Sequence, residues 1–378
     1  MLKPSVTFAV CGRFHFHKYL KYLYSKGSLS IFIYSYRINY SFGIPKKKLK
    51  NYFLKEYLLY AGATFFKGKK FYSYLIFLHN LWQWQVKHRR LSGNLLHVLI
   101  HGNCAAIIKK YKEKGIPVVG EVVNAHPFVQ EQILTEEYSR YRLTYNYGEK
   151  VFKEKIIKEY KLCDYLLTPS GFIKDSLVKH GIDSNKIKVI PYGLDLPDSV
   201  KNVSVIQPDQ EIRLLYIGQI TFRKGVVYLL KALSLLTQQN IRVRLTLIGV
   251  IDQAYKEVIF PYLQSTEITY ISHVDNTEVC TQMKAHDLFI MPSLEDGFGV
   301  VVSEALSVHL PVIVTKNCGA SEIVEHGQDG LIINAFSETD ICNAVVASIG
   351  YNFTFKIEYA DWKQYVNKLA DFYIEIVN

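Results

Sequence analysis

The chain has 378 residues, enough for two domains of ordinary size, and its 49% hydrophobic and 21% charged content is that of a folded globular protein. Six scattered cysteines with no C-x-x-C pair argue against a zinc ribbon or a disulfide framework and fit a reducing cytoplasm. The net charge of +11 is split: residues 1–120 carry 21 Lys or Arg against two acids, Glu56 and Glu113, whereas residues 201–378 carry 13 basic and 20 acidic residues.

The basic half also holds an aromatic cluster, "NYFLKEYLLYAGATFFKGKKFYSYLIFLHNLWQWQVKHRR". Basic and aromatic side chains together suit an anionic membrane surface, where Lys and Arg meet headgroups and rings sit at the interface. A solvated basic face over an aromatic core is the plain alternative. Nucleic acid comes last, because no nucleic-acid-binding motif accompanies the charge. The apolar stretch at 71–86 is interrupted by His79, Asn80 and Gln83 and falls short of a bilayer span. The first residues lack the apolar core and cleavage site of a signal peptide. The expectation is a cytoplasmic protein, peripheral on the inner face of the membrane.

Along the chain, short β-branched or aliphatic runs alternate with longer amphipathic stretches, the rhythm of βαβ units around parallel sheets. The first half gives strands in "SVTFAVCG", "LSIFIYSY", "LLHVLIHG", "IPVVGEVVN", "YLLTPS" and "IKVIPYG". The polar, aperiodic "SVKNVSVIQPDQE" reads as a linker. The second half gives "IRLLYIG", "VRLTLIG", "ITYIS", "LFIMPS", "PVIVT" and "LIIN", with helices such as "KGVVYLLKALSLLTQQN" and "NTEVCTQMKAHD" between them. The fold class is α/β with two doubly wound, Rossmann-like domains, residues 1–200 and 201–350. The segment 351–378 ends in an amphipathic helix, with Trp362, Val366, Leu369 and Tyr373 on one side, suited to cross back onto the first domain.

Ligands of doubly wound sheets bind at the carboxyl ends of strands, and the motif-rich places fall there. In "YIGQITFRKGVVYLL" a strand ends at Gly218, and Arg223-Lys224-Gly225 leads into a helix. A cation at a helix entrance is poorly placed against the helix dipole unless an anion joins it, so Lys224 points to a phosphate. In "LFIMPSLEDGFGVVVSEALS" a strand gives way to a glycine loop and then a helix. The glycines allow a ligand close to the backbone around Phe298 and Gly299. Glu304, in the second turn of that helix, is a carboxylate of the kind that holds ribose hydroxyls.

The order "GQITFRKG", "HVDNTEVCTQMKAHDLFIMPS", "EDGFGVVVSEALS", "LPVIVT", "GASEIVEHGQDGLI" resembles the C-terminal domain of family 4 glycosyltransferases, retaining nucleotide-sugar enzymes with the two-Rossmann-domain fold called GT-B. The resemblance covers about residues 120–335 closely and the rest in outline. It implies a hexosyltransferase acting from a nucleotide diphosphate sugar onto a lipid-linked or polysaccharide acceptor in cell-surface glycan synthesis. The family's Glu-x7-Glu motif falls on Asp296 and Glu304, with Asp in place of the first Glu. The resemblance then implies that Asp296, Gly297, Phe298 and Gly299 contact the donor sugar, Glu304 the ribose and Lys224 the diphosphate. The backbone near Val274 would hold the base. The family pairs the Lys with an Arg after the strand-ending glycine; here that residue is Gln219, and Arg223 is the candidate substitute.

In the first half, His126 follows a strand where relatives carry a His facing donor sugar and phosphate, so the resemblance makes His126, Lys224 and Asp296 the catalytic group. Gly12, Arg13 and His15 stand at the first strand-helix turn as acceptor-side candidates, although relatives have a longer glycine loop there. No metal or other cofactor is expected: His15 and His17 lack further ligands, and Lys224, backbone N–H groups and Arg223 would neutralise the phosphates. Two other readings are a non-catalytic GT-B protein binding a partner or glycolipid, to which Gln219 and Asp296 point, and another nucleotide-sugar enzyme such as an epimerase.

Overall fold

A computed structural model of the chain describes residues 2–12, 14–36, 43–62, 64–66, 68–90, 92–145, 150–202, 204–355 and 359–378. It contains two parallel sheets. The first has seven strands, β1 (Val6–Val10), β2 (Leu29–Tyr34), β3 (Leu49–Asn51), β4 (Leu95–Leu99), β5 (Val118–Glu121), β6 (Tyr165–Thr168) and β7 (Ile187–Val189), in the order β3-β2-β1-β4-β5-β6-β7. Its helices are α1 (Phe16–Ser25), α2 (Leu54–Gly62), α3 (Gly68–Lys87), α4 (Ala105–Lys112), α5 (Pro127–Arg140), α6 (Lys150–Leu162) and α7 (Gly171–Lys179). Strands such as β1, buried at all five residues, are near-continuous apolar runs because helices cover both faces of the sheet.

The second sheet has β8 (Ile212–Ile217), β9 (Val243–Ile248), β10 (Ile268–Ile271), β11 (Leu288–Met291), β12 (Val312–Thr315) and β13 (Gly330–Ile333), in the order β10-β9-β8-β11-β12-β13. Its helices are α8 (Val226–Gln238), α9 (Lys256–Ile259), α10 (Asn276–Lys284), α11 (Val300–Ser307) and α12 (Glu338–Ala347). All twelve strands read from the sequence are present. The thirteenth, β3, has the sequence Leu-Lys-Asn, too short and polar to show a strand period, and it pairs with β2 at the sheet edge.

The last helix, α13 (Trp362–Val377), crosses back to the first sheet. A capping box starts it: Asp361 accepts from the Gln364 N–H at 2.7 Å while Gln364 accepts from the Asp361 N–H at 3.2 Å. Its apolar side, including Trp362, Tyr365, Leu369 and Tyr373, enters the core that contains α1 and β1. A buried polar chain fixes its register. The Tyr373 hydroxyl meets His97 Nδ1 at 2.6 Å, His97 Nε2 meets Glu121 Oε2 at 3.0 Å, and the Tyr192 hydroxyl donates to Glu121 Oε1 at 2.7 Å.

The carboxyl ends of both sheets face one another, and hydrogen bonds join them. Ser170 Oγ donates to the Gly297 carbonyl at 2.7 Å. Glu322 accepts the first two N–H groups of α7, from Gly171 at 2.8 Å and Phe172 at 2.7 Å, as an anion suits a helix N-terminus. The Tyr228 hydroxyl of α8 donates to Glu137 of α5 at 2.7 Å.

Candidate functional site

A cavity of about 350 Å³ opens where the two sheets meet. Phe14, His15, Val123, Asn124 and Tyr192 line it from the first domain; Gly218, Gln219, Arg223, Lys224, Asp296, Phe298, Gly299 and Val300 are among its walls from the second.

The loop after β8 forms a single 3-10 turn, Phe222–Lys224, that closes on Gly225. Gly225 is left-handed (φ 63°), and a Cβ there would lie 2.2 Å from the Pro292 carbonyl oxygen, so only glycine lets this turn lie against the β11 loop. The contact delivers Lys224 to Asp296, with which it forms a buried ion pair. Burial by itself would raise the Asp296 carboxyl. Lys224, Arg223 and the Phe298 N–H outweigh it and hold the group below its ordinary value.

Glu295, beside it, does something different. Its fully buried carboxylate accepts from Arg223 Nη1 at 3.2 Å, Gln130 Nε2 at 2.8 Å and the Ala125 N–H at 3.2 Å. It is an inter-domain clasp, and it takes up the Arg223 guanidinium while leaving that residue on the cavity wall. Gln219 stands on the same wall, its carbonyl accepting from the Tyr216 hydroxyl at 2.7 Å.

The glycine loop packs tightly against the first domain. A Cβ on Gly297 would sit 2.0 Å from the Val123 carbonyl oxygen. Phe298 buries its ring edge-on to Tyr192, centroids 5.4 Å apart, within the first domain's core. Gly299 is left-handed (φ 78°) and starts α11, whose first residues, Val300 and Val301, face the cavity. Glu304 lies one turn further on, half-buried and outside the cavity walls. Its carbonyl accepts from the Ser307 hydroxyl at 2.8 Å, but its carboxylate has no hydrogen-bond or ion-pair partner among the described residues. Burial pushes its carboxyl up to about 7, against the pull of Lys18, with Asp195 adding to the rise.

The first-domain candidates divide. His15 lines the cavity, stacked near Trp362, and burial lowers its imidazole to about 4. Gly12 is left-handed (φ 105°) with its N–H on Ser35 Oγ at 2.9 Å, away from the walls. Arg13 lies outside the described residues. Val274 packs, half-buried, against the second domain's core and is not a cavity residue.

His126 departs from the expectation that it faces the cleft. It caps α5, accepting from the Phe128 N–H at 3.3 Å, and its ring stacks on His180 with centroids 4.2 Å apart. Burial, then His180, lowers it to about 4. Proline at the next position makes residue 126 the helix cap, which turns its side chain along the helix and leaves Asn124 at the cleft. Asn124 and Tyr192 were missed in the sequence; their position just past β5 and β7, at strand carboxyl ends, was the available signal. Among the described residues no group of His, Cys, Asp and Glu is arranged to hold a metal.

Residues 201–349 match the family model for glycosyl transferases group 1. Part of the chain is similar to the D-inositol 3-phosphate glycosyltransferase of Pseudarthrobacter chlorophenolicus, 29% identical over 45% of this chain and 44% of that one. The chain thus spans about half the length of the curated relatives it matches. Over nearly its whole length the fold is GT-B. The apo lipopolysaccharide outer core galactosyltransferase WaaB superposes with TM-score 0.61 and 15% identity, covering 97% of this chain and 99% of that chain. Anabaena Alr3699/HepE, in complex with UDP and glucose, gives 0.60 and 13%, covering 99% and 97%.

Proposed function

We propose that the protein transfers a hexose, with retention, from a nucleotide diphosphate sugar to a hydroxyl of a lipid-linked or polysaccharide acceptor. The observation that carries this reading is the Lys224–Asp296 pair at the cavity, where the entrances of α8 and α11 converge. Two helix entrances and one ammonium form an anion site between domains, the place for a diphosphate. HepE, whose fold this chain shares, was solved with UDP and glucose, which supports such a donor.

The demanding step is departure of the nucleotide diphosphate from an oxocarbenium-like carbon. Lys224 and the N–H groups of the glycine loop would stabilise the leaving phosphate as its charge grows. Among the described residues Asp296 is the one carboxylate on the cavity walls, and it is held by Lys224, so it is poorly placed as a nucleophile. This favours attack on the face of departure, the leaving phosphate taking the acceptor proton. Asp296 would then position donor hydroxyls, and Glu304, whose carboxylate is unpartnered among the described residues, would meet the ribose.

The test is Lys224→Ala. Transfer and donor hydrolysis should both fall; if both persist undiminished, the phosphate assignment fails. A thermal-shift screen of nucleotide diphosphate sugars would identify the donor, because a bound donor stabilises the fold by mass action.

A further inference from the structure

The α2–α3 hairpin is apolar on its outside. Phe53, Tyr57, Tyr60, Phe65, Phe77 and Trp84 are all exposed, Tyr60 and Phe65 to 86% and 84%. On α3, Leu78, Trp82 and Val86 face the core, while Phe77 and Trp84 lie seven residues apart on the solvent side. A surface helix ordinarily turns polar residues outward, so this face lacks its cover.

The charge around it has one sign. Residues 43–90 hold 11 Lys or Arg and a single acid, Glu56. That acid is spent internally, 2.8 Å from Lys55 Nζ and 2.7 Å from the Ser35 hydroxyl. Lys46, Lys47, Lys50, Lys70 and Lys87 form no ion pair among the described residues. Within the hairpin a cavity of about 380 Å³ is lined by Phe66, Lys70, Ser73 and Tyr74, aromatic walls with one ammonium. No helix among the described residues is long and apolar enough to cross a membrane.

We propose that the α2–α3 hairpin docks the protein on an anionic lipid bilayer, its rings entering the headgroup layer and its lysines facing lipid phosphates. Charge complementarity selects this occupant. A bilayer surface supplies negative charge spread in a plane together with an interface that favours Trp and Tyr. Ser35 accepts the Gly12 N–H as well as donating to Glu56, which ties α2 to the end of the first sheet where the cavity opens. On the transferase reading, docking would present the cleft to a lipid-linked acceptor. The docking itself does not depend on that reading.

The experiment is co-sedimentation of the full chain with vesicles of phosphatidylglycerol and phosphatidylcholine in equal parts, and of phosphatidylcholine alone, without donor or acceptor. Binding to the anionic vesicles should be at least about tenfold tighter and should weaken with added salt. The triple variant Tyr60→Ser, Phe65→Ser, Trp84→Ser should bind at least about tenfold more weakly. Its melting temperature should be unchanged, since these side chains are exposed. The proposal fails if the protein binds neither vesicle, or if the triple variant binds like the parent. It also fails if light scattering shows a dimer that the variant abolishes, which would make the face an interface between copies. Lys224→Ala should lose transfer and keep vesicle binding, so the two readings fail separately.

Discussion

Lys224 donates to the Asp296 carboxylate, and the pair is buried beside the cavity with the Phe298 N–H on the same carboxylate. The ammonium is thereby held at the entrance of α8, where an incoming diphosphate meets it already desolvated. Removing one member strands the other. Lys224→Ala should cost about 3 kcal/mol or more of stability, and adding Asp296→Asn should recover part of it. Urea denaturation of the two single variants and the double variant measures this. The pH dependence follows from the sign. The Asp296 carboxyl is lower in the folded than in the unfolded state, so its contribution is present above about pH 4 and is lost as pH falls through the folded value. In Asp296→Asn that acid-side loss should shrink.

Glu295 and Asp296 are neighbours with different tasks. Glu295→Ala removes three hydrogen bonds and leaves Arg223 without its anion, which should cost about 3 kcal/mol in denaturation. At a temperature where both variants are folded, Asp296→Ala should impair transfer more. The reverse order would show that the wrong acid has been assigned to the donor.

Glu304 has the opposite sign to Asp296. Its carboxyl rises to about 7 through burial, above its unfolded value. The folded state therefore gains from its proton, and that gain, full below about pH 4, is lost as pH rises through 7. Glu304→Gln should stabilise the empty protein at about pH 8, with the advantage gone by about pH 4. If the ionised carboxylate meets the ribose, uridine diphosphate should bind more weakly below neutrality, by up to about tenfold per pH unit, and the Gln variant should lack this slope. Calorimetric titration at several pH values checks both.

Gly297→Ala places a methyl 2.0 Å from the Val123 carbonyl oxygen, so the glycine loop and the first-domain backbone must move apart. Transfer should fall at least about tenfold, since small displacements of reacting groups are costly. Small-angle scattering should show a more open particle.

His126→Ala and Asn124→Ala separate a helix cap from a cavity wall. The first should cost about 1 kcal/mol of stability through the α5 cap and the His180 stack. The second should leave stability nearly unchanged and lower transfer. Thermal melts beside initial rates discriminate them.

Most of the fold was legible because parallel strands covered on both faces must be continuous apolar runs, and "VTFAV" or "LFIM" admits no polar alternation. β3 was not, since three residues carry no period. The glycine loop and Lys224 were legible because a left-handed turn demands glycine, and a cation at a helix entrance demands an anion.

The sequence alone determined the two sheets, the amphipathic last helix, and the Asp-Gly-Phe-Gly to Glu304 spacing, because these rest on local backbone preference and short-range periodicity. Tertiary structure alone decided the partners. It gave Asp296 to Lys224 and Glu295 to the Ala125–Gln130 segment, residues 72 and 165–170 positions away. It turned His126 aside and brought Asn124 and Tyr192 to the cavity. The reason is physical: a side chain's charge state and contacts depend on which distant groups share its low-dielectric surroundings, and only the packing of one sheet against the other fixes those.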